Sequence, residues 1–228
     1  MRVDIWSDIT CPWCYLGRAR FKKAQAAFAH GDRLEVVHRS FELDPHRAKS
    51  DVQLVIPMLM SSHHWSEEQA KDNERRLTRL TAADGLGYIQ NRDHGNTHDM
   101  HRLLQFARER GRDHELLDLL FLANYADERS LFNDDERLVA LAEEAGLAPE
   151  DARAVLADPA AFADAVRADS RKLTRLGGMG VPFMLVSGSV PVSGVRTVTA
   201  LTGILEEAWS ATTRAGADAG APAVTAQQ

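Results

Sequence analysis

Cysteine is scarce in this sequence, since the 228 residues include only two, Cys11 and Cys14. Two cysteines exclude a scaffold held by several disulfides, and a bridge across two intervening residues would constrain almost no chain. A structural zinc site would need further ligands from elsewhere in the chain. The run Cys11-Pro12-Trp13-Cys14 therefore indicates chemistry rather than structural support.

Two other features are missing. Basic residues are not in excess, because 27 Lys and Arg stand against 33 Asp and Glu, a net charge of −6. This balance argues against a basic surface that binds nucleic acid. No apolar run is long enough to span a bilayer, and Asp4 and Asp8 interrupt the run that a secretory signal would need. We therefore expect a cytoplasmic protein with neither nucleic acid nor membrane as partner, in a compartment where disulfides are mostly transient and catalytic.

The apolar patterns predict an α/β fold that is interrupted by helices. A short strand near 3–5, a helical stripe over 14–28 and a β-branched run over 34–41 predict a βαβ unit. Residues 50–175 are almost entirely helical in pattern. These helices are expected to pack against one mixed sheet, because they have no strand layer of their own.

The C-terminal part of the chain returns to strands. Residues 181–186 and 190–194 are predicted to form a hairpin, which an amphipathic helix through Trp209 follows. From 212 the chain shows no apolar pattern and is predicted to be disordered. The predicted division is one domain over 1–211, with a core of 1–45 and 177–211, an all-helical insertion of 46–176, and a tail of 212–228.

The spacing of the two cysteines predicts their chemistry. At a helix start the first sulfur lies beside unpaired backbone N–H groups and the positive end of the helix dipole, which favours the thiolate. Cys11 is therefore predicted to be an exposed nucleophile that reacts through a mixed disulfide, and Cys14 the deeper thiol that resolves it. Pro12 is expected to stiffen the turn, and Trp13 to present a flat apolar surface to a substrate. Two unrelated thiols or a metal site are the alternatives, and a metal would need two more ligands.

Val181-Pro182 follows a glycine-rich loop at the start of a predicted strand. Proline is tolerated at that position, and the local residues leave open whether the peptide bond is cis or trans. A cis bond would turn the backbone of Val181 towards the cysteines, where an extended substrate segment could pair with it.

His98 and His101 lie three residues apart on one predicted helix, after Asn96-Thr97. They are candidates for lining a groove over the cysteines, where a charged ring would stabilise a thiolate. The alternative is structural hydrogen bonding within the helical insertion. Two histidines alone are not expected to bind a metal ion.

Three segments together resemble the DsbA-like thioredoxin superfamily, and within it the cytoplasmic FrnE-type branch. They are Ser7–Gly17 with Cys-Pro-Trp-Cys, Asn96-Thr97 with His101-Arg102-Leu103, and Gly180–Gly194 with Val181-Pro182. The resemblance implies a thioredoxin-like fold with a helical insertion, dithiol–disulfide exchange through Cys11 and Cys14, and Pro182 in cis. The superfamily also contains kappa-class glutathione transferases and 2-hydroxychromene-2-carboxylate isomerases, which typically carry serine where Cys11 stands.

These observations favour a thiol–disulfide oxidoreductase that acts on protein or peptide disulfides. No cofactor is expected beyond the redox pair; glutathione and a thioredoxin-type electron donor are the candidate co-substrates, and a homodimer is left open. The first alternative is a glutathione-dependent isomerase or transferase of small molecules. The second is a redox-sensing or client-holding module without turnover.

Overall fold

The computed structural model describes residues 1–219, and its N-terminal part is the predicted βαβ unit. Its elements are β1 (Arg2–Ser7), α1 (Pro12–Ala27) and β2 (Glu35–Ser40), with a short 3₁₀ turn at Gly31–Arg33 before β2. Strand β2 runs parallel to β1, and Ile5 lies opposite His38 in the register. Residues at such paired positions point to the same face of the sheet, so both side chains face the same layer.

The insertion that follows β2 is mostly helical. Its helices are α2 (Val55–His63), α3 (Glu67–Ala83), α4 (His98–Glu109), α5 (Asp113–Tyr125), α6 (Asp135–Glu144), α7 (Pro149–Ala157) and α8 (Ala163–Arg175). It also contains two short antiparallel strands, β3 (Gln53–Leu54) and β4 (Asp93–His94). The prediction of an all-helical insertion is therefore wrong at these two strands. The sequence did not indicate them, because a strand of two residues is too short to show an alternating pattern.

A hairpin after α8 completes the main sheet. Strands β5 (Phe183–Val186) and β6 (Val190–Ser193) pair antiparallel, and β5 also pairs antiparallel with β1. The order in the four-stranded sheet is β2-β1-β5-β6. Gly188 has a φ of +71° in the hairpin turn, a conformation that glycine adopts without a steric cost. The mixed α/β fold predicted from the sequence is thus confirmed.

The last helix, α9 (Val198–Ala219), begins where Thr197 Oγ1 accepts a hydrogen bond from the backbone N of Ala200 at 3.2 Å. It continues past Trp209, so the prediction of disorder is wrong for 212–219; 220–228 lie outside the described residues. Residues 212–219 are rich in alanine and threonine and show no apolar stripe, and alanine has a high helix propensity. Neither α9 nor any other helix of residues 1–219 is both long and apolar enough to cross a bilayer.

Two hydrophobic clusters meet on α1. The sheet cluster joins α1 to the sheet and to α9, and its buried members include Val3, Ile5, Phe21, Ala24, Phe28, Met184, Leu201 and Leu205. The insertion cluster joins the start of α1 to the inserted helices, and its buried members include Cys11, Cys14, Tyr15, Met100, Leu117, Leu120, Phe121 and Tyr125. Both cysteines therefore pack with the insertion, although they belong to a helix of the sheet layer.

Candidate active site

Cys11 occupies the N-cap of α1, where a helix leaves its first backbone N–H groups unpaired. Its backbone is extended (φ −85°, ψ 108°), and Pro12 begins the helix, where no intrahelical N–H bond is needed. The carbonyl oxygen of Cys11 accepts hydrogen bonds from the backbone N of Cys14 and of Tyr15, at 2.9 and 3.2 Å. One helical turn thus separates the two cysteines, and both are free thiols.

Both cysteines are buried, with 4% of Cys11 and 2% of Cys14 exposed. The prediction of an exposed Cys11 is wrong, because the insertion cluster packs over the start of α1. Burial and then the neighbouring Cys11 raise the pKa of the Cys14 thiol well above its usual value. In the dithiol form, Cys14 is therefore a neutral thiol at neutral pH.

The backbone of Val181 lies beside the first sulfur. The Val181–Pro182 peptide bond is cis, and the Cys11 thiol donates to the carbonyl oxygen of Val181 at an Sγ–O distance of 3.7 Å. The carbonyl oxygen of Pro182 accepts from the backbone N of Gly194 at 2.9 Å, which ties this loop to the end of β6. A main-chain acceptor thus faces the sulfur at the N-cap.

Trp13 borders the site without covering it completely. The indole is half-buried and packs against the insertion cluster. The guanidinium carbon of Arg76, from α3, lies 5.4 Å from the ring centroid, within cation–π distance. The indole therefore connects the cysteine turn to the insertion.

Each of the two candidate histidines lies within hydrogen-bond distance of a carboxylate. His101 is buried, and its Nε2 lies 3.3 Å from Oδ1 of Asp8. His98 is partly exposed, and its Nδ1 lies 3.1 Å from Oε1 of Glu42. His101 thus contacts the loop between β1 and α1, and His98 contacts the segment that follows β2. Both hydrogen bonds therefore join the insertion to segments outside it, rather than lying within the insertion.

Asp8 is a buried carboxylate that sequence reasoning missed. Its Oδ2 accepts from the backbone N of Leu43 at 2.7 Å. Burial alone would raise the pKa of Asp8, but the His101 hydrogen bond and charge, with the contacts from Leu43 and Thr97, outweigh it and lower the pKa. The charge of Asp8 in turn contributes to raising the pKa of Cys14. The sequence did contain a signal for this carboxylate, because Asp8 interrupts an apolar run three residues before Cys11.

Stacked tyrosines extend from the cysteine turn into the insertion. The Tyr15 and Tyr125 rings stack with centroids 4.8 Å apart, and Tyr88 stacks on Tyr125 at 5.6 Å. The guanidinium carbon of Arg92 lies 4.4 Å from the Tyr125 centroid, and Arg92 is itself paired with Glu74 at 2.9 Å. The Tyr125 hydroxyl has no hydrogen-bond partner in the part of the chain that the structure describes.

A metal centre is not among the arrangements found. No three His, Cys, Asp or Glu side chains of residues 1–219 are grouped so that they could hold a metal ion.

Comparison with known proteins agrees with this fold. The family model described as a DSBA-like thioredoxin domain matches residues 2–206. A solved structure, a probable DsbA oxidoreductase from Streptomyces coelicolor, is 58% identical with a TM-score of 0.89, over 92% of this chain and 90% of that chain. None of the curated proteins searched matches the chain.

More distant structures are similar in fold alone. The cytosolic disulfide reductase DsbM from Pseudomonas aeruginosa is 18% identical with a TM-score of 0.60, over 94% of this chain and 98% of that chain. A 2-hydroxychromene-2-carboxylate isomerase is also 18% identical, with a TM-score of 0.66, over 97% of this chain and 100% of that chain. The family match over most of the chain, together with the 58% identity, shows that this protein belongs to the DSBA-like thioredoxin domain family.

Proposed function

We propose that this protein is a thiol–disulfide oxidoreductase in which Cys11 is the nucleophile and Cys14 the resolving thiol. One observation carries the proposal: the Cys11 sulfur stands at the N-cap of α1, 3.7 Å from the main-chain oxygen that precedes Pro182. A thiolate at this position gains from the helix dipole and from the unpaired N–H groups of the first turn. The second thiol, one turn away, is placed to complete an exchange.

The exchange has two balanced steps. The Cys11 thiolate attacks one sulfur of a substrate disulfide, forms a mixed disulfide, and releases the other sulfur as a thiolate that takes a proton from solvent. Cys14 then attacks the Cys11 sulfur after losing its proton, and the second substrate sulfur leaves as a thiol. Two electrons pass from the protein dithiol to the substrate disulfide, and the steps run in reverse when the protein oxidises a dithiol.

The proposed substrate is a protein or peptide disulfide in an extended segment. Such a segment can pair by main-chain hydrogen bonds with Val181, whose carbonyl oxygen already faces Cys11. Trp13, half-buried at the border of the site, offers apolar contact to the residues next to the disulfide. Only 4% of Cys11 is exposed, so a substrate disulfide has to approach the buried sulfur closely. We therefore expect disulfides in flexible segments to be better substrates than disulfides in rigid ones.

Glutathione and a thioredoxin-type protein are the proposed partners that return the pair to its starting redox state. A DsbM structure was solved with glutathione, which makes glutathione the first co-substrate to test. The second cysteine favours exchange over the isomerase or transferase alternative, for which one nucleophile suffices. The cytoplasmic location and the homodimer remain predictions.

The same substitution at the two cysteines tests the proposal. Cys11→Ser is expected to abolish reduction of insulin and refolding of a scrambled disulfide protein. Cys14→Ser is expected to keep the first step and to accumulate a mixed disulfide, visible as a shifted band on a non-reducing gel. Full turnover by the Cys11→Ser protein would overturn the proposal.

Cys14→Ser is the matched control for Cys11→Ser, because both remove one buried sulfur within the same helical turn. Loss of activity in both variants without any trapped adduct would point to a structural role for the turn. A glutathione-dependent activity on a small aromatic substrate that survives Cys14→Ser would instead support the isomerase alternative.

A further inference from the structure

A small cavity lies behind Cys14, on the sheet side of α1. The centre of a water molecule can move within about 20 Å³ of this cavity, so the cavity can hold a single water. Its walls are mostly apolar, with Ile5, Phe21 and Phe121 among them. The polar side chains that line it are Ser7, Arg18, His38 and Arg196. Cys14 lines this cavity and Cys11 does not, so the cavity separates the environments of the two sulfurs.

His38 lines this cavity and carries a ring nitrogen without a hydrogen-bond partner among the described residues. The side chain is buried on β2, next to Ile5 in the sheet register. One ring nitrogen, Nε2, lies 2.6 Å from an amino group of Arg18. The other, Nδ1, is buried and has no hydrogen-bond partner within residues 1–219. A buried polar atom of this kind needs a partner, and the cavity has room for one water molecule in that role.

The contact with Arg18 determines the tautomer of the His38 ring. A guanidinium group can only donate, so Nε2 of His38 must accept and the ring proton must stay on Nδ1. Asp118 fixes Arg18 in turn through two hydrogen bonds, Nε to Oδ1 at 2.8 Å and Nη2 to Oδ2 at 3.2 Å. Burial, then the charges of Arg18 and His114, hold the pKa of His38 well below its usual value, so the ring is neutral. His38 is thus a neutral hydrogen-bond donor whose donor atom is Nδ1.

We propose that His38 is a positioning residue for the resolving step: its Nδ1–H, oriented by Arg18, donates through one water in this cavity to the Cys14 sulfur and stabilises the Cys14 thiolate. The inference rests on the proposed exchange function and deepens it. Cys14 needs such a donor because burial disfavours its thiolate, the form that attacks the mixed disulfide. In that attack the Cys14–Cys11 bond forms, the bond from Cys11 to the substrate breaks, and the Cys14 hydrogen ends on the leaving thiol.

Other charged or titratable groups near Cys14 act from different elements. They are Cys11 at the start of α1, Asp8 in the loop before it, Arg18 on α1, Tyr125 on α5, and Arg196 before α9. The charge of Asp8 opposes the thiolate, and Tyr125 stays a phenol because burial raises its pKa. Arg18 is positively charged and lines the same cavity.

The two steps can be timed separately with dithiobis(nitrobenzoate) on the reduced full-length protein. Attack by Cys11 releases a first nitrothiobenzoate, and attack by Cys14 on the resulting mixed disulfide releases a second. His38→Gln keeps an acceptor for Arg18 but removes the donor at the Nδ1 position. We expect it to slow the second release by about tenfold or more, to leave the first within about twofold, and to move the pH midpoint of the second release upwards.

His38→Asn is the rescue variant, because its amide N–H₂ takes the place of Nδ1–H, and its second release is expected to stay within about threefold of wild type. The matched control is His30→Gln, which removes a ring stacked on Trp209, 4.5 Å away, and is expected to change neither release. A His38→Gln protein with a wild-type second release at every pH would overturn the inference. Equal slowing of both releases would do the same, since it indicates a purely structural role.

A measurement on the wild-type protein keeps the inference testable if the variants do not fold. Nitrogen NMR of labelled histidine is expected to show a neutral His38 ring protonated at Nδ1, with a signal that shifts when Cys14 enters the disulfide. A ring protonated at Nε2 would overturn the inference. A wild-type protein that never releases the second nitrothiobenzoate would overturn the exchange function itself, which separates the two failures.

Discussion

The two ends of α1 face different regions of the molecule. The first turn, with Cys11 and Cys14, packs into the insertion cluster, whereas Phe21 and Ala24 further along pack into the sheet cluster. The sheet region decides where the sulfurs stand, since it carries the N-cap of α1 and the cis Pro182 loop. The insertion decides what surrounds them, since it buries both thiols. One helix thus takes its position from one region and much of the apolar burial of its first turn from another.

The largest expected effect comes from a matched pair of core truncations, Leu117→Ala in the insertion cluster and Leu205→Ala in the sheet cluster. Both leucines are 1% exposed, so each change is expected to lower the free energy of unfolding by about 2–5 kcal/mol in denaturant titrations. Only Leu117 lines the cavity behind Cys14. Leu117→Ala is therefore expected to admit water and to lower the pKa of Cys14, because burial is the first cause of its raised value.

The pH midpoint of the second nitrothiobenzoate release measures this difference. It is expected to fall for Leu117→Ala and to stay in place for Leu205→Ala. Equal shifts in the two variants would show that the insertion does not control the environment of Cys14.

A smaller effect is expected from Asp8→Asn. The pKa of Asp8 is lowered in the folded protein, so its contribution to stability is present above its usual value of 3.8 and lost as the pH falls through the folded-state value. Asp8→Asn is expected to remove this acid-dependent loss of unfolding free energy, which should amount to about 1–3 kcal/mol. Denaturant unfolding at several pH values measures it. It should also lower the pKa of Cys14, because the charge of Asp8 helps to raise it.

Asp164→Asn is the control for Asp8→Asn, since the Asp164 side chain is 95% exposed and paired with Arg167 at the surface. Its acid-dependent unfolding is expected to match wild type, because exposed ion pairs contribute little. An Asp8→Asn protein with the same acid-dependent loss of stability as wild type would contradict the role given to the buried carboxylate.

The smallest effect separates two tyrosines of the insertion cluster. The Tyr15 hydroxyl donates to the carbonyl oxygen of Gly87 at 3.2 Å, so Tyr15→Phe is expected to cost about 0.5–1.5 kcal/mol of unfolding free energy. The Tyr125 hydroxyl has no partner among residues 1–219, so Tyr125→Phe is expected to leave stability unchanged or to raise it by up to about 1 kcal/mol. Thermal unfolding of the two variants compares them, and a greater loss for Tyr125→Phe would show that its hydroxyl is hydrogen-bonded in solution.

Much of the fold could be predicted because its signals are local. Apolar periodicity identified β1, α1 and β2, and the change of pattern after Gly177 identified the hairpin of β5 and β6. The strands β3 and β4 were missed because two residues carry no period. The helix beyond 212 was missed because this segment has no apolar periodicity, although its alanines have a high helix propensity.

The sequence by itself determined the two sulfurs, their helical spacing and the proline that follows the glycine-rich loop, since each depends on neighbours in the chain. Only the tertiary structure decided that Cys11 is buried, that His101 contacts the Asp8 carboxylate, and that His38 lines the same cavity as Cys14. His38 and Cys14 are 24 positions apart in the chain, and the contact of Arg18 with His38 requires β2 to return beside β1. Burial and charge at a sulfur depend on what packs around it in space, and that packing exists only once the whole chain has folded.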